Sequence, residues 1–178
     1  GFSHVRICAP LVYFIKTPRF LQSLFSKATW FITTKEKKLY LTFDDGPTPE
    51  VTDWVLDELN RFNAKATFFV LGKNVKRYHD VFEKTLKNGH VIGNHSFSHL
   101  NGWEKEDEVY FEDIAKSERE IQGSNQKSLF RPPYGRITLS QYSQLTTQYK
   151  LTMWDVLSGD FDYKLDKSDR ANALRETE

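Results

Sequence analysis

Residues 39–71 read LYLTFDDGPTPEVTDWVLDELNRFNAKATFFVL. A short apolar run gives way to an amphipathic stretch and then to a second apolar run. Leu39-Tyr40-Leu41-Thr42-Phe43 predicts a buried strand, because β-branched and aromatic residues crowd a short segment that stops at a turn-forming Asp-Gly-Pro. Thr48 offers a helix N-cap with Pro49 at the first helical position. Val51, Trp54, Val55, Leu59 and Phe62 then recur at helical spacing, which predicts one apolar face. Ala66 to Leu71 predicts the next strand. Strand, helix, strand within about thirty residues is the rhythm of a βα unit.

The same rhythm continues toward the C-terminus. Val75, Tyr78, Val81, Phe82 and Leu86 stripe a second helix that Gly89 ends, a frequent place for glycine. His90-Val91-Ile92 predicts a third strand leading to Asn94 and His95, and a charged helix follows from about Glu106 to Gln122, with Phe111, Ile114, Ala115 and Ile121 inward. Leu129-Phe130 predicts a fourth strand, cut by Pro132-Pro133. Thr138 to Tyr149 predicts another helix, and Leu151 to Leu157 a fifth strand. Repeated βα units build either a closed parallel barrel or an open doubly wound sheet. Asp44, His95, Arg131 and Asp155 all fall at the C-terminal ends of successive strands. A barrel gathers those ends on one rim, whereas an open sheet spreads them along a line, so a barrel is expected.

Bulk composition narrows the function. The chain has 178 residues, 39% hydrophobic and 15% aromatic, which is enough for one globular domain. Twenty-five basic residues balance 24 acidic ones for a net charge of +1, so nothing points to nucleic acid. The single cysteine, Cys8, excludes an internal disulfide. Residues 7–15 are apolar but far short of the ~20 residues a membrane span requires. The basic, aromatic-rich stretch within residues 5–32 could lie on a membrane surface, but packing across one end of the domain is the preferred reading. Residues 1–37 are therefore expected to be an N-terminal segment on a domain spanning 38–178. Gly1 in place of Met leaves room for a removed export signal, which would put the protein in the cell envelope or outside the cytoplasm; without one it would be cytoplasmic.

Asp44 and Asp45 form an adjacent carboxylate pair directly after a strand, where like charges repel and folding alone gives them little reason to be. A turn would also use Asp-Gly and Gly-Pro. His95-Ser96-Phe97-Ser98-His99 places two histidines at i and i+4, on one face if the segment is a helical turn. With Asp45 they make two imidazoles and one carboxylate, three ligands with a position left for water, as a catalytic zinc site has. Cobalt or nickel would suit the same ligands. His79 and His90 lack such partners and read as ordinary surface or core residues. Arg131-Pro132-Pro133-Tyr134-Gly135 is a stiff segment carrying a permanent cation. Trp154-Asp155-Val156-Leu157-Ser158-Gly159-Asp160-Phe161 adds acids at a strand end and two aromatics able to lie on sugar rings.

Together these segments resemble the polysaccharide deacetylases, the NodB-homology family of carbohydrate esterases (family four). Residues 42–47 are similar to the family's first motif, 95–99 to the second, 131–135 to the third and 155–161 to the fourth, with Phe161 where a Trp is usual. The resemblance covers roughly Lys38 to Tyr163. It implies a distorted (β/α) barrel and removal of N-acetyl groups from a chitin-like or peptidoglycan-like glycan by a metal-dependent hydrolase. It also implies a role for each residue. Asp44 would be the general base, Arg131 its holder, and Asp45, His95 and His99 the metal ligands. The Tyr134 backbone N–H would stabilise an oxyanion, and Asp160 would orient a catalytic histidine. Pro133, Tyr134, Trp154 and Phe161 would line the substrate. The family's fifth motif, a strand with a histidine acid, has no counterpart after His99, so the domain is expected to lack its C-terminal strand. A carbohydrate-binding pseudoenzyme and a hydrolase of non-sugar amides are the alternatives.

Overall fold

The computed structural model describes residues 16–122, 128–159 and 168, and the chain divides into two compact units, residues 1–24 with 154–178 and residues 25–153. In the smaller unit, helix α1 (Arg19–Leu24) follows a segment that pairs with residues 155–156. Lys16 bridges Val156 in antiparallel sense, and the Thr17 N–H donates to the Asp155 carbonyl at 3.0 Å. Buried Gln22 ties the two strands of chain together, donating to the Thr17 carbonyl and to Asp155 Oδ1.

The larger unit is built on five parallel strands: β1 (Thr42–Asp44), β2 (Thr67–Val70), β3 (Val91–Asn94), β4 (Leu129–Phe130) and β5 (Lys150–Leu151). They lie side by side in chain order. Helix α2 (Val51–Arg61) follows β1, and α3 (Gly72–Arg77) and α4 (His79–Lys87) follow β2. Helix α5 (Asp107–Glu120) follows β3, and α6 (Leu139–Gln148) follows β4. A doubly wound sheet reverses its strand order at a switch point. This one never does, so right-handed crossovers keep every helix on one face and the sheet curls toward a barrel.

The curl is visible in one side chain. Arg131, just beyond β4, reaches Thr42 Oγ1 and Asp44 on β1 as well as the carbonyls of Thr152 and Met153 just beyond β5. In a flat sheet β1 and β4 would stand roughly 14 Å apart, three strand spacings and too far for one side chain. The two faces of the strands divide accordingly. Phe68, Val70 and Ile92 point outward into a core with Leu56, Leu59, Val75 and Phe82. Thr42, Asp44 and Phe69 point inward to Arg131. Gly93 sits beside Phe69 in register with it, and a Cβ there would come within 2.5 Å of the Phe69 ring.

Several expected elements are redrawn. Leu39, Tyr40 and Leu41 lie outside the β1 strand and are exposed, because β1 pairs only with β2 among the described residues. Helix α2 starts at Val51 rather than Pro49, since Glu50 adopts a left-handed φ of 68° and Thr48 instead closes a turn onto Thr52. Its buried face is Thr52, Leu56 and Leu59, spaced i, i+4, i+7, while Val51, Trp54 and Phe62 face solvent. Tyr78, at φ −126°, breaks the expected second helix into α3 and α4. On α5 the fully buried positions are Tyr110, Ile114 and Ser117. β5 stops at Leu151, and Thr152 pairs instead with Thr29 through an isolated parallel bridge. Thr138 caps α6 as expected, in a capping box with Gln141.

Candidate active site

The rim formed by the C-terminal ends of β1, β3 and β4 gathers the acidic pair, the two histidines and the arginine. Asp44 ends β1, and Asp45, at a left-handed φ of 68°, turns the other way. The Asp45 backbone is fixed by Asn74, whose Nδ2 donates to its carbonyl at 2.7 Å. The result separates the two neighbours: Asp44 points at Arg131 and Asp45 at the histidines.

The histidine loop is not the helical turn that the spacing suggested. Residues 95–99 form no helix, and Ser96 and His99 both take left-handed φ values, 66° and 63°. Side chains hold that loop. Asn94 Oδ1 accepts from the Ser96 N–H, Ser96 Oγ accepts from the His99 N–H, and Asp113 of α5 accepts from both Phe97 and Ser98 through one carboxylate oxygen at 2.9 Å each. Asn94 itself is buried and anchored to α5, donating to the Ile114 carbonyl and to Glu118. The first N–H groups of α3, from Gly72 and Lys73, occupy the loop's own carbonyls at Ser96 and Phe97.

The loop brings three ligand atoms together. The Nε2 atoms of His95 and His99 lie 3.6 and 3.3 Å from Asp45 Oδ1, and one ligand atom from each residue falls within 4.8 Å of the others. Ligands about 2.0–2.2 Å from a tetrahedral ion stand roughly 3.3–3.6 Å apart, so this donor set fits a divalent metal. The buried His95 has its Nδ1 2.7 Å from the Arg131 carbonyl, which makes Nδ1 the protonated nitrogen and leaves the Nε2 lone pair for Asp45's side of the site. Burial, above all, holds the His95 pKa below its ordinary value despite the nearby carboxylates, which keeps the ring neutral as a ligand must be.

Arg131 is almost wholly buried. It donates from Nη1 to Asp44 Oδ1 at 2.7 Å and to Thr42 Oγ1 at 2.8 Å, from Nη2 to the Met153 carbonyl and from Nε to the Thr152 carbonyl. Its guanidinium carbon lies 4.1 Å from the Phe69 ring centroid, a cation–π contact. Burial lowers its pKa and Asp44 opposes the shift; a guanidinium stays charged either way. Asp44 thus keeps one carboxylate oxygen clamped.

Tyr134 lies in a short 3₁₀ turn, Pro133–Gly135, with a left-handed φ of 58° of the kind that collects at functional sites. Its exposed ring stands 4.4 Å from the His99 ring. Pro133 is buried within the turn. Trp154 belongs to the smaller unit, and Asp160 and Phe161 lie outside the described residues. Asn94, Ser96 and Asp113, which set the histidine loop, and Thr42, which shares Arg131 with Asp44, are not singled out by the sequence alone. Asn94 and Ser96 flank His95, and an amide and a hydroxyl on either side of a candidate ligand are the available signal. Asp113 had none, because it reaches the loop only through the fold.

The family model described as polysaccharide deacetylase matches residues 31–154. A peptidoglycan-N-acetylglucosamine deacetylase of Bacillus cereus is 39% identical over 119 residues, covering 65% of this chain and 43% of the relative. Chitin deacetylase 1 of Saccharomyces cerevisiae is 38% identical over 136 residues, covering 74% of this chain and 43% of the relative. The chain thus spans less than half the length of each. The crystal structure of the Bc1960 peptidoglycan N-acetylglucosamine deacetylase superposes with a TM-score of 0.80 at 30% identity, covering 91% of this chain and 76% of the other.

Proposed function

The chain belongs to the polysaccharide deacetylase family, and from that premise we propose that it hydrolyses N-acetyl groups from an N-acetylated glycan at the Asp44–Asp45–His95–His99 rim. The observation that carries the reading is the division of labour within one Asp-Asp pair. Asp45 joins two histidines in a metal-sized triad while Asp44, one residue away, is clamped by a buried cation. The relatives named above act on peptidoglycan and on chitin, both N-acetylated glycans. No helix among the described residues is long and apolar enough to cross a membrane.

Asp45, His95 and His99 would hold the ion, zinc being the default for this donor set and cobalt or nickel suiting it too. Bound there, a divalent ion supplies a water of lowered pKa and polarises the amide carbonyl. Asp44, held through Oδ1, offers its other oxygen to take the proton of the attacking water. The water oxygen bonds to the carbonyl carbon, the Tyr134 backbone N–H donates to the resulting oxyanion, and the C–N bond breaks to give acetate and the sugar amine. The amine must collect a proton as it leaves, and Asp44 has just acquired one.

The test separates the two carboxylates. Asp44→Asn should cut acetate release from chitooligosaccharide or peptidoglycan glycan by about 10²–10⁴-fold while the protein still binds one equivalent of zinc. His95→Ala with His99→Ala should lose the metal. Substantial turnover by Asp44→Asn would remove Asp44 from the mechanism.

A further inference from the structure

We propose that Tyr134, Arg136 and Trp103 form a glycan-binding ledge that selects a substrate carrying a carboxylate beside the sugar being deacetylated, an inference that rests on the deacetylase reading. The ledge begins at the metal triad, where the Tyr134 ring stands 4.4 Å from that of His99. From Tyr134 the Arg136 guanidinium carbon is 6.0 Å away, and from Arg136 the Trp103 ring centroid is 5.1 Å away. Two exposed aromatic faces with a cation between them thus lead outward from the reacting site. Aromatic faces suit the C–H faces of pyranose rings, and the cation suits an anion carried on one of them.

Exposure alone would say little about Trp103, which is 64% exposed. What singles it out is how firmly an exposed indole is held. Its Nε1–H donates to the Ile137 carbonyl at 2.9 Å, and its backbone N–H to Asn101 Oδ1 at 3.1 Å. The preceding Gly102 is buried with no slack, since a Cβ there would stand 2.5 Å from Gln141 Oε1 and 2.6 Å from the Arg136 carbonyl. Gln141, itself fully buried, donates to the Gly102 carbonyl and to Asp107. A ring fixed before the ligand arrives loses little freedom on binding, which is how an exposed aromatic becomes a useful contact.

Arg136 supplies the selectivity. It makes no ion pair among the described residues, unlike the buried Arg131, and its guanidinium lies against the two rings. A guanidinium against aromatic faces keeps in-plane N–H donors for an incoming carboxylate, such as the lactyl ether of a muramic acid residue. A neutral glycan would gain the stacking and nothing from the charge.

The experiment measures binding to the full 178-residue chain by titration calorimetry with two probes. One is chitotetraose, and the other is a tetramer alternating N-acetylglucosamine with N-acetylmuramic acid. Trp103→Ala should weaken both by about tenfold, and Trp103→Phe should recover most of the loss. Arg136→Gln should weaken the carboxylate-bearing tetramer alone, by about threefold, and abolish the salt dependence of its binding. Wild-type binding of both probes with unchanged affinity in the variants overturns the ledge, and equal losses on both probes in Arg136→Gln overturn the carboxylate selection. Failure of the deacetylase reading shows separately, as an absence of acetate release from either probe by the wild type.

Discussion

Arg131 is a single residue that holds Asp44, Thr42 and two backbone carbonyls while buried against Phe69. Removing it leaves the carbonyls without their donor and Asp44 without its cation. Arg131→Ala should therefore destabilise the fold by about 3–5 kcal/mol, measured by denaturant unfolding. Arg131→Lys should recover little, because an ammonium cannot spread donors to β1 and to the Thr152 and Met153 carbonyls at once. Recovery by lysine would mean that charge alone matters there. His90 makes a second prediction. Its ring is buried, its Nδ1 accepts from the Ala66 N–H, and burial, with Lys65 adding to it, holds its pKa below the ordinary value. The unfolded chain takes up that proton near the ordinary value of ~6.5 and the folded chain only at lower pH. Stability should thus fall as pH drops below about 6.5, and His90→Gln, which keeps the acceptor, should fall less steeply over that interval. Parallel pH–stability curves for the two proteins would refute the assignment.

Among elements, the 95–99 loop shows how the proposed metal ligands acquire their geometry. Its left-handed residues are not glycines, so Asn94, Ser96 and Asp113 must hold a backbone that the chain would not choose. Asp113→Ala should weaken zinc binding by about 10–100-fold without touching a ligand, with the zinc affinity measured by chelator competition. Asp113→Asn, which keeps an oxygen acceptor, should recover part of the loss. If Asp113→Ala bound zinc as tightly as wild type, α5 would be irrelevant to the site. This element also marks what was legible in sequence. His95 and His99 stand out in the sequence as a candidate pair because their spacing and chemistry are local. The conformation that joins them differs from the helical turn their spacing predicts, because no pattern in residues 95–99 reveals that Asp113, on another element, captures two of their N–H groups. Strand ends were similarly legible as a rim of polar residues, whereas the β1 boundary and the α3–α4 break depend on edge position and on the backbone of Tyr78. The proposed ledge is not legible in the sequence, since Trp103 and Arg136 lie 33 residues apart and meet only in the folded chain.

At the scale of the larger unit, strand order and site are one design. Strands laid down in sequence bring Asp44, His95 and Arg131 to one rim, three of the four strand-end residues, with Asp155, on which the barrel expectation rests. A ligand that binds only this assembled rim must stabilise it. Zinc at a hundred times its dissociation constant should add about 2.7 kcal/mol, raising the melting temperature by roughly 5–10 °C for a chain of this size. The His95→Ala, His99→Ala protein should show no such rise, and an equal rise in both would move zinc to some other site. Arg131's hydrogen bonds also impose a sequence of events. The clamp on β1 joins positions 89 residues apart, as Thr42 and Arg131 are, whereas the triad needs only β1 and β3, which β2 already links side by side. Distant contacts form late because their loops are costly to close. A refolding chain should therefore capture zinc before Asp44 is locked in place, and metal uptake should run ahead of recovered turnover.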